Sequence, residues 1–264
     1  MDYMEWCHAV ESVRPHVVRI VTPECSGTGF LLSHFKSSPI CAVATAAHVV
    51  VRAHYWEQPI RIEHNGKTLL LRKIDRAILM DEPKDTAAIV FYKGELPLPA
   101  EPLDFLPPED KSLKVGNEIG WLGFPAVAPG DLCFFSGRVS AWRGQHPEYL
   151  VDGVAINGVS GGPAFWNGAN RITLTGVVSA YIANRATGET LPGLAVVTNV
   201  HQFHELTKVF KSVNEAKEKE SPPQPPDAKP EEADLSLNWT PSNQREDQFN
   251  FRPLASRQHE RDTK

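Results

Sequence analysis

The stretch GVSGGPAF, residues 158 to 165, sets one serine among three glycines and a proline. A serine hydroxyl is a poor nucleophile by itself. It needs a base to take its proton, a group to orient that base, and donors for the developing oxyanion. Backbone N–H groups make good donors because they are fixed before the reaction, and glycine lets a substrate carbonyl approach main chain closely. On this reading Gly158 and Ser160 offer their N–H groups while Gly161 and Gly162 clear space. The plain alternative is a glycine-rich turn beside a strand.

Ten histidines compete for the role of base. His48 stands out because TAAH ends the apolar run CAVA with small residues, which leave an imidazole room to turn toward a cleft. His201 and His204 sit on a helical stretch and read as a solvated or capping pair. For the orienting carboxylate, Asp85 opens the run TAAIV, while Asp81 and Asp75 are rivals among charged neighbours. GVSGG also fits the nucleophile elbow G-x-S-x-G, which must lead into a helix with chain order serine, acid, histidine. Ser160, Glu189 and His201 supply that order, but Asn167-Gly168-Ala169-Asn170 would break the helix.

The elements that must carry these residues are strands. VVRIV (17–21), GTGFLLS (27–33), CAVATA (41–46), RIEHNG with KTLLLRKI (61–74), TAAIVF (86–91), EIGWLGF (118–124), FFSGRVSAW (134–142), ITLTGVVSAYI (172–182) and GLAVVTNV (193–200) are short, rich in Val, Ile, Phe and Thr, and separated by turn residues such as Asn65-Gly66 and Pro129-Gly130. No helical pattern alternates with them, which argues against a parallel α/β sheet, and an all-β sandwich or barrels are expected. HQFHELTKVFKSV (201–213) has apolar residues at helical spacing, and residues 3–12 read as a second short helix. The domain reading is an N-terminal segment 1–14, a globular region 15–214, and a tail 215–264. That tail is rich in Pro, Glu, Lys and Gln, and such a segment stays disordered for want of apolar surface to bury. LSLNW (235–239) and FNF (249–251) are apolar islands within it.

Of the 264 residues 41% are hydrophobic, enough for a real core, and the formal net charge of −5 gives no basic footprint for nucleic acid. No run approaches the roughly 20 apolar residues of a membrane helix. Asp2, Glu5 and Glu11 interrupt any secretory leader, so a cytoplasmic protein is expected. Cys7, Cys25, Cys41 and Cys133 form no CxxC pair and read as free thiols; the histidines lack metal-ligand spacing, and no cofactor is expected.

ATAAH (44–48), DTAAIV (85–90) and GVSGGP (158–163) together resemble, in order, the three catalytic blocks of chymotrypsin-fold (trypsin-like) serine proteases. The likeness is greatest to the HtrA/Deg branch, whose opening strands VRPHVVRI (13–20) and SGTGFLL (26–32) resemble, and it covers roughly residues 13–210. EIGWLGFPA (118–126), FFSGRVS (134–140) and VAINGVSGGPAF (154–165) are similar to that branch's later strands, and TGVVSAY (175–181) and LPGLAVVT (191–198) to the strands walling the specificity pocket of the wider family. The resemblance implies two six-stranded antiparallel Greek-key barrels, with a C-terminal helix, and polypeptide substrates. It implies His48 as general base and then acid, Asp85 as the group fixing its tautomer, Ser160 as nucleophile, and the N–H groups of Gly158 and Ser160 as the oxyanion hole.

Several positions depart from the pattern. Val159 stands where zymogen-activated relatives carry an aspartate for a newly cut N-terminus, so no proteolytic activation is expected. Val49, not cysteine, follows His48. Ala155-Ile156-Asn157 runs straight into Gly158, one residue shorter than is common in the branch, and no PDZ domain is expected after Thr198. The pocket is expected to have Val154 and Ala155 on its floor, Ser179 and Tyr181 on one wall and Gly193 behind. Without a carboxylate there, a buried Lys or Arg would lack a partner, so cleavage after small apolar residues is expected. A protease-fold peptide-binding module without catalysis is the alternative.

Overall fold

Thirteen strands and three α-helices make up the described residues of the computed structural model, which are 6–34, 39–107, 112–168, 171–184 and 191–220. Every strand-like run of the sequence falls on a strand. The first half contains β1 (Val17–Val21), β2 (Ser26–His34), β3 (Ile40–Thr45), β4 (Ile60–His64), β5 (Lys67–Leu71), β6 (Arg76–Asp81) and β7 (Thr86–Tyr92). The second half contains β8 (Glu118–Gly123), β9 (Cys133–Arg143), β10 (Glu148–Asp152), β11 (Pro163–Asn167), β12 (Ile172–Asn184) and β13 (Leu191–Asn199). Helices α1 (Trp6–Val13), α2 (Ala47–Tyr55) and α3 (His201–Glu220) complete the set.

The two halves agree with a chymotrypsin-like double barrel, but they are not alike. Strands β8 to β13 close into a six-stranded barrel in the order β10-β13-β12-β11-β8-β9. Strands β1 to β7 instead form a seven-stranded sheet, β5-β4-β1-β2-β3-β7-β6, left open between its two edges. The expected double barrel is present with its N-terminal half as an open half-barrel, and the reason for the opening is local. Between the edge strands the chain takes a 3-10 turn, Lys73–Asp75, in place of a hairpin. The Arg76 guanidinium fills the seam, donating to the carbonyls of Leu71 (2.6 Å), Gln58 (2.7 Å) and Ala53 (3.2 Å). At the β4–β5 hairpin, Asn65 (φ 45°) and Gly66 (φ 75°) make the two-residue turn that the Asn-Gly pair demands.

Side chains of the open sheet alternate between two interiors, as a period of two requires. Val18, Ile20, Leu31, Cys41, Val43 and Ile89 point into a cluster with Val49, Val50 and Ala53 of α2. Val17, Phe30, Leu32, Ala42, Ala44 and Ala88 face the other way, into a core shared with Trp121, Tyr149, Phe165 and Phe203 of the second half. Both faces of β2, β3 and β7 are therefore covered, and these strands read as nearly continuous apolar runs, whereas β5 and β6 at the edges are half exposed. Helix α1 seats Trp6 against Phe134 and Phe165 of the barrel, with ring centroids 5.3 and 5.9 Å away. Helix α3 lays Phe203 edge-on to Phe30 at 6.5 Å. It continues to Glu220, so the boundary expected at 214/215 falls inside it. Residues 221–264, with LSLNW and FNF, lie outside the described residues.

Candidate active site

The imidazole of His48 and the carboxylate of Asp85 are brought together by α2 and the start of β7. His48 is the second residue of α2, where backbone N–H groups have no partner within the helix. Its N–H donates to Asp85 Oδ1 at 2.9 Å, and its ring Nδ1 lies 2.8 Å from Oδ2 and 3.0 Å from Oδ1. One carboxylate thus completes a helix start and holds a ring. Asp85 reaches this place in the left-handed region, φ 51° and ψ 48°, which short polar side chains tolerate. Burial pushes its carboxyl upward, but hydrogen bonds from His48 and Ser179, with the charge of His48, outweigh that and set it below the usual carboxylate range. The ionised acid is thus placed to accept a proton carried on Nδ1. The His48 side chain is 49% exposed.

Ser160 lies in the loop between β10 and β11, and the carbonyls around it are all engaged. Asn157 accepts from the Ala126 N–H (2.7 Å), Gly158 from the Thr28 hydroxyl (2.8 Å), Val159 from the Gly162 N–H (3.0 Å) and Ser160 from the Thr28 N–H (2.8 Å). The N–H groups divide differently. Val159, Gly161 and Gly162 donate to Ile156, Val178 and Val159. Those of Gly158 and Ser160 find no acceptor among the described residues. The glycines serve the protein's own packing: a Cβ on Gly158 (φ 92°) would lie 2.3 Å from the Phe124 carbonyl oxygen, and one on Gly161 (φ 88°) 2.0 Å from that of Thr28. Gly162 is likewise pressed on Leu122. The expectation that Gly161 and Gly162 clear space for substrate is therefore corrected.

Ser179 does more than wall a pocket. The β12–β13 register passes from Val178↔Val197 to Ala180↔Val196, which makes Ser179 a bulge, and bulges re-aim side chains. Its hydroxyl donates to Asp85 Oδ2, and its carbonyl accepts the Ser160 hydroxyl at 3.3 Å. That hydroxyl is thus turned to Ser179. The sequence alone gave no sign of the Ser179–Asp85 contact, because a bulge has no local signature here. Of the other pocket candidates, Val154 is 45% exposed and Ala155 packs at the edge of the core. Tyr181 pairs with Ala195, Ile182 with Leu194, and Leu194 with Asp152, so Tyr181, Gly193 and Val154-Ala155 gather at one end of three neighbouring strands.

A profile of the trypsin-like peptidase domain matches residues 27–173, more than half of the chain. This chain belongs to the trypsin-like peptidase family. The peptidase also shares its fold with solved serine proteases. The serine endoprotease from Yersinia pestis is 17% identical, with a TM-score of 0.59 over 80% of this chain and 68% of its own. Deg5 is 16% identical, with a TM-score of 0.58 over 77% of this chain and 93% of its own. The inactive form of Rv3671c from M. tuberculosis H37Rv is 19% identical, with a TM-score of 0.55 over 80% of this chain and 96% of its own. These neighbours agree with the HtrA/Deg likeness of the sequence; at such identities they speak for the fold alone. A search of curated proteins returned no match. By family and fold the peptidase is of the serine type.

The competing candidates have other work. Asp81 accepts from the backbone and ammonium of Lys84, and Asp75 pairs with Arg72. His204 is half-buried: its Nε2 lies 2.8 Å from the Leu106 carbonyl, and its ring meets Phe105 edge-on. Ser160 leads into strand β11, which overturns the elbow reading; Glu189 lies outside the described residues. No disulfide joins the four cysteines, and the buried Cys41 thiol is pushed up to about 12 by desolvation. Among the described residues no group of side chains has metal-ligand geometry, and no helix is long and apolar enough to cross a membrane.

Proposed function

We propose that this peptidase is an endopeptidase working through His48, Asp85 and Ser160. The observation that carries the reading is the conjunction of an Asp85-held imidazole with a serine loop whose Gly158 and Ser160 N–H groups are unengaged. His48 Nε2 takes the proton from Ser160 Oγ as that oxygen attacks a peptide carbonyl. The oxyanion is met by the two N–H groups, and the imidazolium is steadied by ionised Asp85. His48 then returns the proton to the leaving amine, and water releases the acyl group by the same steps in reverse. The residue before the scissile bond is small and apolar, resting on Val154 and Ala155 with Tyr181 and Gly193 alongside. Unfolded polypeptides are the substrates.

The Ser160 hydroxyl donating to Ser179 favours a second reading, a peptide-binding module without turnover. Resting sites commonly have such loose contacts, which tighten only with substrate. Purified protein and Ser160→Ala are to be compared on unfolded casein and with a fluorophosphonate probe. Removing a triad nucleophile costs on the order of 10⁶ in kcat, so cleavage and labelling both fall to background in the variant. A wild-type protein that neither cleaves nor labels would leave the peptide-binding reading standing.

A further inference from the structure

Thr28, on β2 of the open sheet, is fully buried and holds the serine loop from across the molecule. Its N–H donates to the Ser160 carbonyl at 2.8 Å, and its hydroxyl donates to the Gly158 carbonyl at 2.8 Å. The same hydroxyl oxygen accepts the Phe124 N–H at 3.0 Å, and the Thr28 carbonyl accepts the Thr45 hydroxyl at 2.7 Å. A peptide group is planar, so fixing a carbonyl fixes the direction of the N–H on the same plane. The Gly158 N–H is set by the bond from Ala126 to Asn157, and the Ser160 N–H by the bond from Gly162 to Val159. The two peptide planes that alternate with these carry the Gly158 and Ser160 carbonyls, and both end on Thr28. Val159, between the two donors, is itself fully buried and anchors the loop by its apolar side chain.

We infer that Thr28 is a positioning residue for the oxyanion donors, tying the loop that bears them to the half of the molecule that carries His48 and Asp85. The inference rests on the proposed function. Thr28 touches no substrate, so its loss lowers kcat and leaves KM alone. Thr28→Val keeps the shape, removes the hydroxyl, and strands a buried carbonyl and the Phe124 N–H. Misplacement near 1 Å commonly costs about 100-fold.

The test compares wild type, Thr28→Val and Thr28→Ser by fluorophosphonate labelling rate, casein turnover and thermal melting. The expected result is a roughly 10- to 100-fold slower labelling and kcat in the valine variant, with KM within about twofold. Serine restores the rate to within about threefold, and amides of residues 157–162 exchange faster in the valine variant only. If valine prevents folding, Thr28→Ala is read in the same way. A folded valine or alanine variant labelling at the wild-type rate overturns the inference. So does a serine variant as slow as valine, which would trace the effect to the methyl group. A wild-type protein that does not label removes the proposed function itself, a separate outcome.

Discussion

Asp85 has the most partners of any single side chain at the site, and its backbone strain is the mark of that role. A left-handed non-glycine residue persists only where its surroundings hold it, and three groups from two elements do so here. Its depressed acidity has a definite sign for stability. The contribution is present above the ordinary carboxylate value of 3.8 and is lost as pH falls through the lower folded value. Asp85→Asn keeps the shape but lets the imidazole carry its proton on the wrong nitrogen. In triads that change costs about 10⁴ in kcat, while the fold survives. Steady-state turnover and a melting curve on one preparation check both halves; turnover within tenfold of wild type would deny Asp85 its role.

At the scale of elements, His64 closes β4 onto the N-terminal segment through its Nε2, 2.9 Å from the Pro15 carbonyl. The residue is 3% exposed and its other ring nitrogen has no partner among the described residues. Burial pushes its pKa below the ordinary 6.5, and the nearby His16 adds to that against the bond to Pro15. The unfolded chain therefore takes a proton before the folded one does as the solution is acidified. Stability is full above about pH 6.5 and declines below it. Urea midpoints at pH 7.5 and 5.5 should differ in that direction, with a smaller difference in His64→Phe; equal midpoints in the wild type would reject the account.

The same scale shows what the sequence reveals and what it conceals. Strands of alternating or continuous apolar residues were legible, as were the Asn65-Gly66 turn and α3, because their signals are local. Strand β11 was not, since it begins on Pro163, which only the first residue of a strand accommodates. Strands β6 and β10 are short and flanked by charge. Helix α2 carries three consecutive valines, which favour strands, and is helical because Val49, Val50 and Ala53 are buried beneath the first sheet. The pairing of His48 with Asp85 was legible because their motifs fell in order, and that same order is what puts Ser160 beside them in the proposal. The bulge at Ser179, the backbone of Asp85 and the grip of Thr28 depend on distant partners, which no neighbouring residue announces.

The whole molecule joins a closed half to an open one, and the groups proposed to react are divided between them. Every strand of the barrel that leads to Ser160 has a neighbour on both sides, whereas β5 and β6 each leave one flank without a ladder. Amides on those flanks lose their protection by local opening, at less cost than the global transition. Deuterium should therefore enter the sheet of His48 and Asp85 first on warming, while the serine's barrel is still protected. Catalysis then ends at a lower temperature than the loss of β-structure seen by circular dichroism, and cooling from that interval restores it. Heat, on this account, first separates the base from the nucleophile and only afterwards unfolds the chain.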